Sequence, residues 1–318
     1  MIVVRDGDER ARHGPCVVTI GVFDGLHRGH QRVIEQVVAL ARELDALATV
    51  VTFEPHPALV LDHDRAPRQL GTLDQRVEGL ARLGVDIVRV ITFSDEVARE
   101  SASAFVQRVL VDELGAVVVV VGEDFRFGHD RLGDVALLRR EGERHHFDVR
   151  PAVIFGDGQR WSSTSVRQSL ASGDVARAAV VLGRPFTLRG VVVRGDQRGG
   201  DLGFPTANVS VAAHQMLPEL GVYAGAVRLE DGQWLPAAIS VGTRPQFYEN
   251  GEVLVEVHVV GYAGDLYGST LDVAFLGRLR AEMTFPDVDA LIAQMESDVL
   301  ESVAIFENFS PEASILLG

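Results

Sequence analysis

The stretch Thr19-Ile-Gly-Val-Phe-Asp-Gly-Leu-His-Arg-Gly-His30 decides the fold of the first half of the chain. It joins a β-branched run, Val17–Gly21, which we predict to be a buried strand, to His30–Leu44, whose apolar residues have helical spacing. His27 and His30 stand three residues apart where the helix begins, so both imidazoles can lie on one face. Because a helix N-terminus presents unpaired N–H groups and a partial positive charge, this strand-to-helix turn favours phosphate binding.

Strands and helices continue to alternate after this turn. The predicted elements are strands at Ala48–Phe53, Ile87–Ile91 and Ala116–Val121 and helices at Leu73–Leu83 and Ala102–Leu110. This order is typical of an α/β domain with a Rossmann-like parallel sheet covered by helices on both faces. Ligands in such a domain bind at the carboxyl ends of the strands, where Gly21 lies.

The pattern changes in the second half of the chain. Two predicted helices, Ser163–Leu170 and Asp174–Leu182, are followed by the helix-breaking segment Gly183-Arg184-Pro185. Short strands then recur at hairpin-like spacing, which predicts a small closed antiparallel β-barrel. They are Thr187–Val193, Val222–Leu229, Leu235–Val241, Leu254–Val260 and Leu271–Leu279, and a helix at Val288–Phe306 follows them. We therefore expect two domains, residues 1–183 and 184–318.

Composition limits the classes of partner. The 318 residues carry a formal net charge of −15, which argues against a general nucleic-acid-binding protein because such proteins need a positive field. The single cysteine, Cys16, permits no intramolecular disulfide, and we expect it to be a small buried residue. The N-terminus is too polar for a signal peptide, and the longest apolar run, Ala116–Val121, has the length of a strand. We expect a soluble cytoplasmic protein without a membrane partner; the sequence does not determine its oligomeric state.

The string Gly21-Val-Phe-Asp-Gly-Leu-His-Arg-Gly-His30 resembles the FAD synthetase branch of the nucleotidyltransferase superfamily. Taken alone, the two histidines would be interpreted as one helix cap and one exposed residue, but the glycines and the strand-to-helix context favour a site. The resemblance implies that His27 and His30 are catalytic and donate hydrogen bonds to a phosphoryl group that gains charge. Further ATP- or phosphate-binding residues expected in this segment are Gly21, Phe23, Asp24 and Gly29.

A second matching segment, Trp161-Ser-Ser-Thr-Ser-Val-Arg167, places hydroxyls and an arginine at the start of a predicted helix. Helix capping explains one hydroxyl, whereas Ser163, Thr164 and Arg167 together make a triphosphate clamp. Relatives often carry a second arginine where this chain has Ser165.

Two loops, Thr52-Phe-Glu-Pro-His-Pro57 and Val121-Gly-Glu-Asp-Phe-Arg-Phe-Gly128, lie at predicted strand ends and match the same family. The resemblance implies flavin and ATP binding there; turn formation and packing of Phe125 and Phe127 are the alternative. The flavin-binding residues expected are Pro55, His56 and Asp124.

The second half contains Gly195-Asp-Gln-Arg-Gly-Gly-Asp-Leu-Gly-Phe-Pro-Thr-Ala-Asn208. Composition alone favours a glycine-rich hairpin, but the Gly-Phe-Pro-Thr-Ala-Asn string resembles the riboflavin kinase signature. The resemblance implies that Thr206 and Asn208 hold Mg²⁺ and the nucleotide phosphates, and neutral oxygen ligands suit that ion. It also implies that Glu256, which precedes Asp265-Leu-Tyr-Gly268, is the catalytic base, although an alternating strand leaves open whether it faces solvent or a cleft. The ATP- or flavin-binding residues expected here are Gly195, Gly203, Phe204, Pro205, Thr206 and Asn208.

Except at its two ends, the chain resembles bacterial bifunctional riboflavin kinase/FAD synthetases, and Phe309–Gly318 falls outside the resemblance. The resemblance implies phosphorylation of riboflavin to FMN and adenylyl transfer from ATP to FMN, with ATP, Mg²⁺ and flavins as ligands. Gly200 and Gln246 depart from the family pattern, so a monofunctional FMN adenylyltransferase with a weak or inactive barrel is the first alternative. A flavin-sensing module and a nucleotidyltransferase for another acceptor are the others.

Overall fold

The structure is a computed structural model that describes residues 1–8, 14–152, 161–195, 202–243, 253–314 and 316–317. The chain divides into two compact units. The first comprises Met1–Pro67 and Leu73–Trp161, and the second comprises Arg68–Thr72 and Ser162–Gly318. The predicted domain boundary between residues 183 and 184 stays a prediction.

A six-stranded parallel sheet forms the centre of the first unit, as the alternating pattern predicted. Its strands are β1 (Ile2–Val4), β2 (Cys16–Ile20), β3 (Leu47–Glu54), β4 (Ile87–Thr92), β5 (Ala116–Val121) and β6 (Asp148–Pro151). Their order across the sheet is β1-β4-β3-β2-β5-β6. The sequence pattern did not indicate β1 or β6, which are only three and four residues long and lie at the two edges of the sheet.

The helices of the first unit largely match the apolar spacing. They are α1 (Arg28–Glu43), α2 (Pro57–Leu61), α3 (Leu73–Arg82), α4 (Asp95–Arg99), α5 (Ala102–Phe105) and α6 (Val135–His145). The helix predicted at Ala102–Leu110 is longer and less regular, because α5 continues as a π-helix over Val106–Glu113. Apolar spacing could not reveal this change, since Val106, Val109 and Leu110 are buried as they would be in an α-helix.

Strand β2 is buried along its whole length. Val18 and Ile20 belong to the apolar core on one face of the sheet, and Val17 belongs to the core on the other face, which includes Val37 and Leu40 of α1. Cys16 is also buried, as expected. Because both faces of this strand are covered, polar groups can reach a ligand only beyond its ends.

The second unit contains the predicted closed antiparallel barrel, with strand order β10-β11-β8-β7-β12-β9. Its strands are β7 (Phe186–Val193), β8 (Ala207–Ser210), β9 (Gly221–Arg228), β10 (Trp234–Thr243), β11 (Val253–Val259) and β12 (Thr270–Arg280). The α-helices of this unit in the described ranges are α7 (Ser163–Ala171), α8 (Val175–Leu182) and α9 (Val288–Phe306). Helix α9 packs on β9, β10 and β12.

Residues Arg68–Thr72 belong to the second unit although the chain on both sides belongs to the first. The Gln69 N–H donates to the His214 carbonyl, and the Met216 N–H donates to the Gln69 carbonyl, each at 2.7 Å. These two bonds pair the segment with the connection between β8 and β9 in the manner of a parallel bridge.

Three aromatic rings fill the barrel interior. The ring of Phe275, which is fully buried, lies 5.4 Å from that of Tyr223 and 6.1 Å from that of Phe186 between centroids. We expect Phe275→Ala to lower the free energy of unfolding by about 3–5 kcal/mol, because it removes buried surface and leaves a cavity. Urea unfolding followed by Trp234 fluorescence in a Trp161→Phe background measures this, since the chain has two tryptophans.

The matched control for this substitution is Leu300→Ala on α9, where the side chain is 71% exposed. We expect it to change the free energy of unfolding by less than about 0.5 kcal/mol. An equal effect of both substitutions would contradict a barrel held together by its aromatic interior.

Candidate functional site

Three of the predicted transferase segments follow neighbouring strands at the carboxyl end of the parallel sheet. Strand β2 lies between β3 and β5. The strands that follow β2 in sequence, β3 and β4, lie on one side of it, and β5 and β6 lie on the other side. Such a reversal of strand order opens a crevice at the carboxyl ends, where α/β proteins bind ligands. The loops after β2, β3 and β5 are the three that the sequence singled out.

The turn after β2 has a backbone that few side chains adopt. Phe23 and Leu26 have φ values of 54° and 42°, and Gly25 has φ 79°. The Gly21 N–H donates to the Val51 carbonyl at 3.0 Å, which holds the start of the turn on β3. A Cβ atom on Gly21 would lie 3.1 Å from the Phe23 ring, so the glycine makes room for that ring.

The two histidines stack on each other at the start of α1. Their ring centroids are 3.6 Å apart and their planes differ by 23°. His27 is the N-cap of α1, and its Nδ1 accepts a hydrogen bond from the His30 N–H at 3.4 Å. The capping alternative is therefore correct for His27, but neither ring is an exposed one: His27 is 6% exposed and the Nδ1 of His30 is buried. Gly29 admits the His27 ring, since a Cβ atom there would lie 3.1 Å from its Nδ1.

A buried arginine, Arg76 of α3, lies beside the histidines and was missed by the sequence analysis. Its Nη1 donates to the Thr52 hydroxyl and to the Phe53 carbonyl, each at 3.1 Å, and its Nη2 lies 3.5 Å from the Glu54 carboxylate. One signal for it was present: Arg76 precedes the fully buried Leu80 by four residues, which puts its charge on the buried face of α3.

These neighbours change the proton affinities of the site. Burial, then His27, then Arg76 hold the pKa of His30 well below its usual range. Burial raises the pKa of Glu54 against the opposing charge of Arg76, and burial lowers the pKa of Arg76 against Glu54 and Asp24. His30 is therefore neutral at pH 7, with one ring nitrogen that donates and one that accepts.

The predicted flavin-binding residues lie on the loops after β3 and β5. Pro55 and His56 follow Glu54, and His56 caps α2 through a hydrogen bond from the Ala58 N–H to its Nδ1 at 3.1 Å. Asp124 is exposed in the turn after β5. Phe127 is buried and its ring lies 6.0 Å from that of Phe105, so for this residue packing is the observed role.

The serine-rich segment before Arg167 begins α7 in the second unit. Ser162 and Ser165 form a reciprocal capping box, which gives Ser165 a structural role where relatives carry arginine. The Nε of Arg167 donates to the Arg68 carbonyl at 2.6 Å. Participation of Ser163, Thr164 and Arg167 in the same site as the histidines stays a prediction.

Two of the predicted kinase residues, Asn208 and Glu256, lie in one row of paired residues across the outer face of the barrel. Glu256 pairs with Asn208 on one side and with Ser240 on the other, and Asn208 pairs with Val193. Glu256 is half-buried and points away from the interior, which the buried neighbours of its own strand fill. Directly opposed residues of paired strands have Cβ atoms about 4.5–5.5 Å apart, so Asn208 and Glu256 are neighbours.

The Gly203–Asn208 string contacts neighbouring parts of the barrel at two places. The Asn208 side chain, 9% exposed, lies over Gly195, where a Cβ atom would be 2.1 Å from its Nδ2. The ring of Phe204 meets that of His258 at 5.6 Å, and the Nδ1 of His258 lies 2.9 Å from the Pro205 carbonyl. Gly203 is exposed with φ 88°, a conformation that favours glycine.

A cavity of about 210 Å³ opens beside the signature string. Thr206, apolar side chains of β7, β8 and β11, and the turn Tyr262–Tyr267 line it. The cavity thus places the Thr206 side chain next to apolar walls that suit an aromatic ring system.

Two of the sequence departures, Gly200 and Gln246, lie outside the described residues. Within the described ranges, no group of three or more His, Cys, Asp or Glu side chains is arranged to hold a metal ion. A metal at Thr206 and Asn208, which the resemblance implies, would take neutral protein oxygens.

Comparison with known proteins assigns both halves of the chain. A family model for FAD synthetase matches residues 9–165, and a model for riboflavin kinase matches residues 182–306. The chain is 40% identical to the bifunctional riboflavin kinase/FMN adenylyltransferase of Pseudomonas fluorescens, over 93% of this chain and 94% of the relative. It is 39% identical to the protein of the same name from Escherichia coli K12, over 92% and 93%.

The chain belongs to the bifunctional riboflavin kinase/FMN adenylyltransferase family.

The fold agrees with a solved structure over nearly the whole chain. A crystal structure described as a macrolide-efflux protein from Streptococcus pneumoniae matches with a TM-score of 0.83 and 29% identity, over 98% of this chain and 100% of that chain. None of the helices in the described ranges combines the length and hydropathy that a membrane crossing requires. The TM-score of 0.83 shows that the two chains share their fold over nearly their whole lengths.

The low proton affinity of His30 has a measurable consequence. We expect its ring to stay neutral at about pH 6.5, where an ordinary histidine is half protonated. The unfolded chain then binds more protons than the folded one below about pH 6.5, so the free energy of unfolding falls as the pH drops. NMR titration of ¹³C-labelled histidine rings, with His30→Asn for assignment, measures the first effect.

Unfolding of the wild type and His30→Asn between pH 5 and 8 measures the second effect. We expect the wild type to lose more stability than the variant on the acid side. Titration of His30 at or above pH 6.5, or parallel stability curves, would contradict the buried environment described for this ring.

Proposed function

We propose that this chain makes FAD from riboflavin in two ATP-dependent steps. The barrel phosphorylates riboflavin to FMN, and the α/β unit transfers AMP from a second ATP to FMN and releases pyrophosphate. The observation that carries this proposal is that a histidine pair at the switch point of the sheet and an Asn208–Glu256 pair on the barrel coexist in one chain. Relatives with both activities in their names match more than nine-tenths of it.

The adenylyl transfer requires positioning and charge stabilisation. A phosphate oxygen of FMN attacks the α-phosphorus of ATP, the bond to the bridging oxygen breaks, and pyrophosphate leaves with the electron pair. His27 and His30 donate hydrogen bonds to the oxygens that gain charge, and the N-terminus of α1 adds its partial positive charge. The stacked rings support this role because each fixes the orientation of the other.

Other residues bind the substrates of this step. We assign the phosphates of ATP to the turn after β2, to the start of α7 and to Arg167, and the flavin to the loops after β3 and β5. The phosphate set is Gly21, Phe23, Asp24, Gly29, Ser163, Thr164 and Arg167. The flavin set is Pro55, His56 and Asp124.

The phosphorylation step takes place on the barrel. Glu256 accepts the proton of the terminal ribityl hydroxyl as that oxygen attacks the γ-phosphorus of ATP and ADP leaves. Gly195, Gly203, Phe204 and Pro205 shape the binding loop, and the cavity beside Thr206 takes a ring of one substrate.

The residues present fit a magnesium ion at this step. The Thr206 hydroxyl and the Asn208 carbonyl are hard, neutral oxygens, and the Glu256 carboxylate is the neighbour of Asn208 across the strand pair. Bound there with the nucleotide, the ion would neutralise phosphate charge. Glu256 would remain available for proton transfer, because the two neutral side chains would hold the ion.

We also propose that the protein works in the cytoplasm on these small molecules alone. The formal net charge of −15 supports the absence of a nucleic-acid partner.

Incubation of the protein with riboflavin, ATP and Mg²⁺ tests the proposal. We expect FMN to appear first, then FAD with an equal amount of pyrophosphate. Glu256→Gln should slow FMN formation about 10²–10⁴-fold and spare FAD formation from added FMN, because it removes only the base. His27→Asn and His30→Asn should each slow FAD formation about 10²–10³-fold and spare FMN formation. Absence of FMN with the wild type would overturn the two-step function in favour of FMN adenylyl transfer alone.

The contact between Gly195 and Asn208 generates a separate prediction. Gly195→Ala places a methyl group on the Asn208 amide, so we expect this metal-binding side chain to move and phosphorylation to fall by up to about 10²-fold. FMN formation from riboflavin measures the loss, and FAD formation from added FMN in the same sample should not change. The matched control is Gly277→Ala on β12, where the backbone is not left-handed and the nearest atom to the added methyl, Cδ1 of Ile305, is 3.5 Å away. A fully active Gly195→Ala variant would mean that the position of Asn208 is unimportant.

A further inference from the structure

Arg76 has more hydrogen-bonding capacity than its surroundings satisfy. Arg76 is 3% exposed, yet its Nε and Nη2 atoms have no hydrogen-bond partner among the described residues. A carboxylate oxygen, Oε2 of Glu54, lies 3.5 Å from Nη2 and also lacks a hydrogen bond. Burying a charge costs stability unless it is well paired, and apolar side chains often replace such pairs without loss. Packing alone therefore does not account for an arginine at this position.

We propose that Arg76 is a positioning residue of the adenylyl transfer, which acts through Thr52 on the turn before the histidines and through its charge on His30. This inference rests on the function proposed above and adds a residue to its machinery. The buried guanidinium does not face the crevice with an exposed surface, so it acts through its neighbours.

The first link is a chain of hydrogen bonds. Arg76 Nη1 donates to the Thr52 hydroxyl, and that hydroxyl donates to the Val22 carbonyl at 3.1 Å. Val22 lies in the turn between Gly21 and Phe23, and the Phe23 ring meets the His30 ring edge-on at 5.2 Å. Thr52 is fully buried, so water does not compete for this chain of bonds. The guanidinium thereby fixes the turn from which the histidine pair projects.

The second link is electrostatic. The groups that act on His30 are His27 on α1 and Arg76 on α3, and Asp24 and Glu54 act in turn on Arg76. Positive charge beside the ring disfavours a second proton on it. Arg76 thus favours a neutral His30, which donates through one nitrogen only.

Variants of the full-length protein separate these links. Arg76→Met removes both, Thr52→Val removes the hydroxyl and leaves the charge, and Arg76→Lys retains the charge with fewer donors. The matched control is Arg89→Met on β4, because Arg89 is equally buried at 4% exposure but is paired with Asp6 and Glu113. Each sample is assayed for kcat and KM of FAD formation from ATP and FMN, for its pH profile, and for FMN formation from riboflavin.

We expect Arg76→Met to lower kcat of adenylyl transfer about 10²-fold, as misplacement of reacting groups does, with KM values within about threefold of the wild type. The acid limb of its pH profile should move to higher pH, because loss of the positive charge lets His30 bind a proton more readily. Thr52→Val should lower kcat without moving that limb. Arg76→Lys should keep the limb in place and recover part of kcat.

Several results would overturn the proposal. They are an unchanged kcat in Arg76→Met, an equal loss in Arg89→Met, a parallel loss of FMN formation, or a rise in KM for ATP alone, which would make Arg76 a direct ligand. If Arg76→Met does not fold, Arg76→Lys and Thr52→Val decide the question through kcat of adenylyl transfer. Both should lower kcat with the pH limb unmoved and FMN formation unchanged, and an unchanged kcat in both would overturn the proposal. A wild-type protein that makes no FAD would instead overturn the proposed function itself.

Discussion

The burial of β2 on both faces is the constraint on which the first unit depends. A central parallel strand with apolar residues on each side has no polar surface of its own, so its only contact with a ligand is through the turn at its carboxyl end. Residues with left-handed backbone conformations bend that turn. Helix α1 starts directly after it, with His27 as its N-cap. Structural stability and catalytic placement therefore depend on the same few residues.

In the barrel, the proposed site lies on the outer face of the strands and not at the end of a buried strand. Its interior is filled by aromatic and branched side chains, so the proposed chemistry is carried by the outer face and by the mouth. Strand pairing places Asn208 beside Glu256, and the lack of a side chain at Gly195 lets the asparagine lie flat against the loop. The placement of Asn208 next to a carboxylate follows from strand register, since each of the two residues occupies an outward position of its own strand.

The sequence predicted the elements whose apolar residues follow a regular spacing. It did not predict short or irregular elements or contacts between residues distant in sequence. The alternation of apolar runs indicated the parallel sheet, the barrel and α9, because burial imposes a period on many residues at once. It could not indicate β8, whose four residues follow the glycine-rich string, or the π-helix at Val106–Glu113, whose buried residues keep helical spacing. The histidine pair could be predicted from motif and context. Arg76 could not, because the hydrogen bonds that give it a role join α3 to β3, which are distant in sequence.

The assignment of Arg68–Thr72 to the second unit has a consequence for the modularity of the chain. Those five residues pair with the connection between β8 and β9, while the sequence before and after them belongs to the sheet. A single cut after Gly183 would therefore release a barrel fragment that lacks Arg68–Thr72 and the helices α7 and α8, all of which belong to the second unit. Shortened versions that keep only the barrel would have to replace the pairing of Gln69 with that connection, because Gln69 lies more than a hundred residues before the barrel in the sequence.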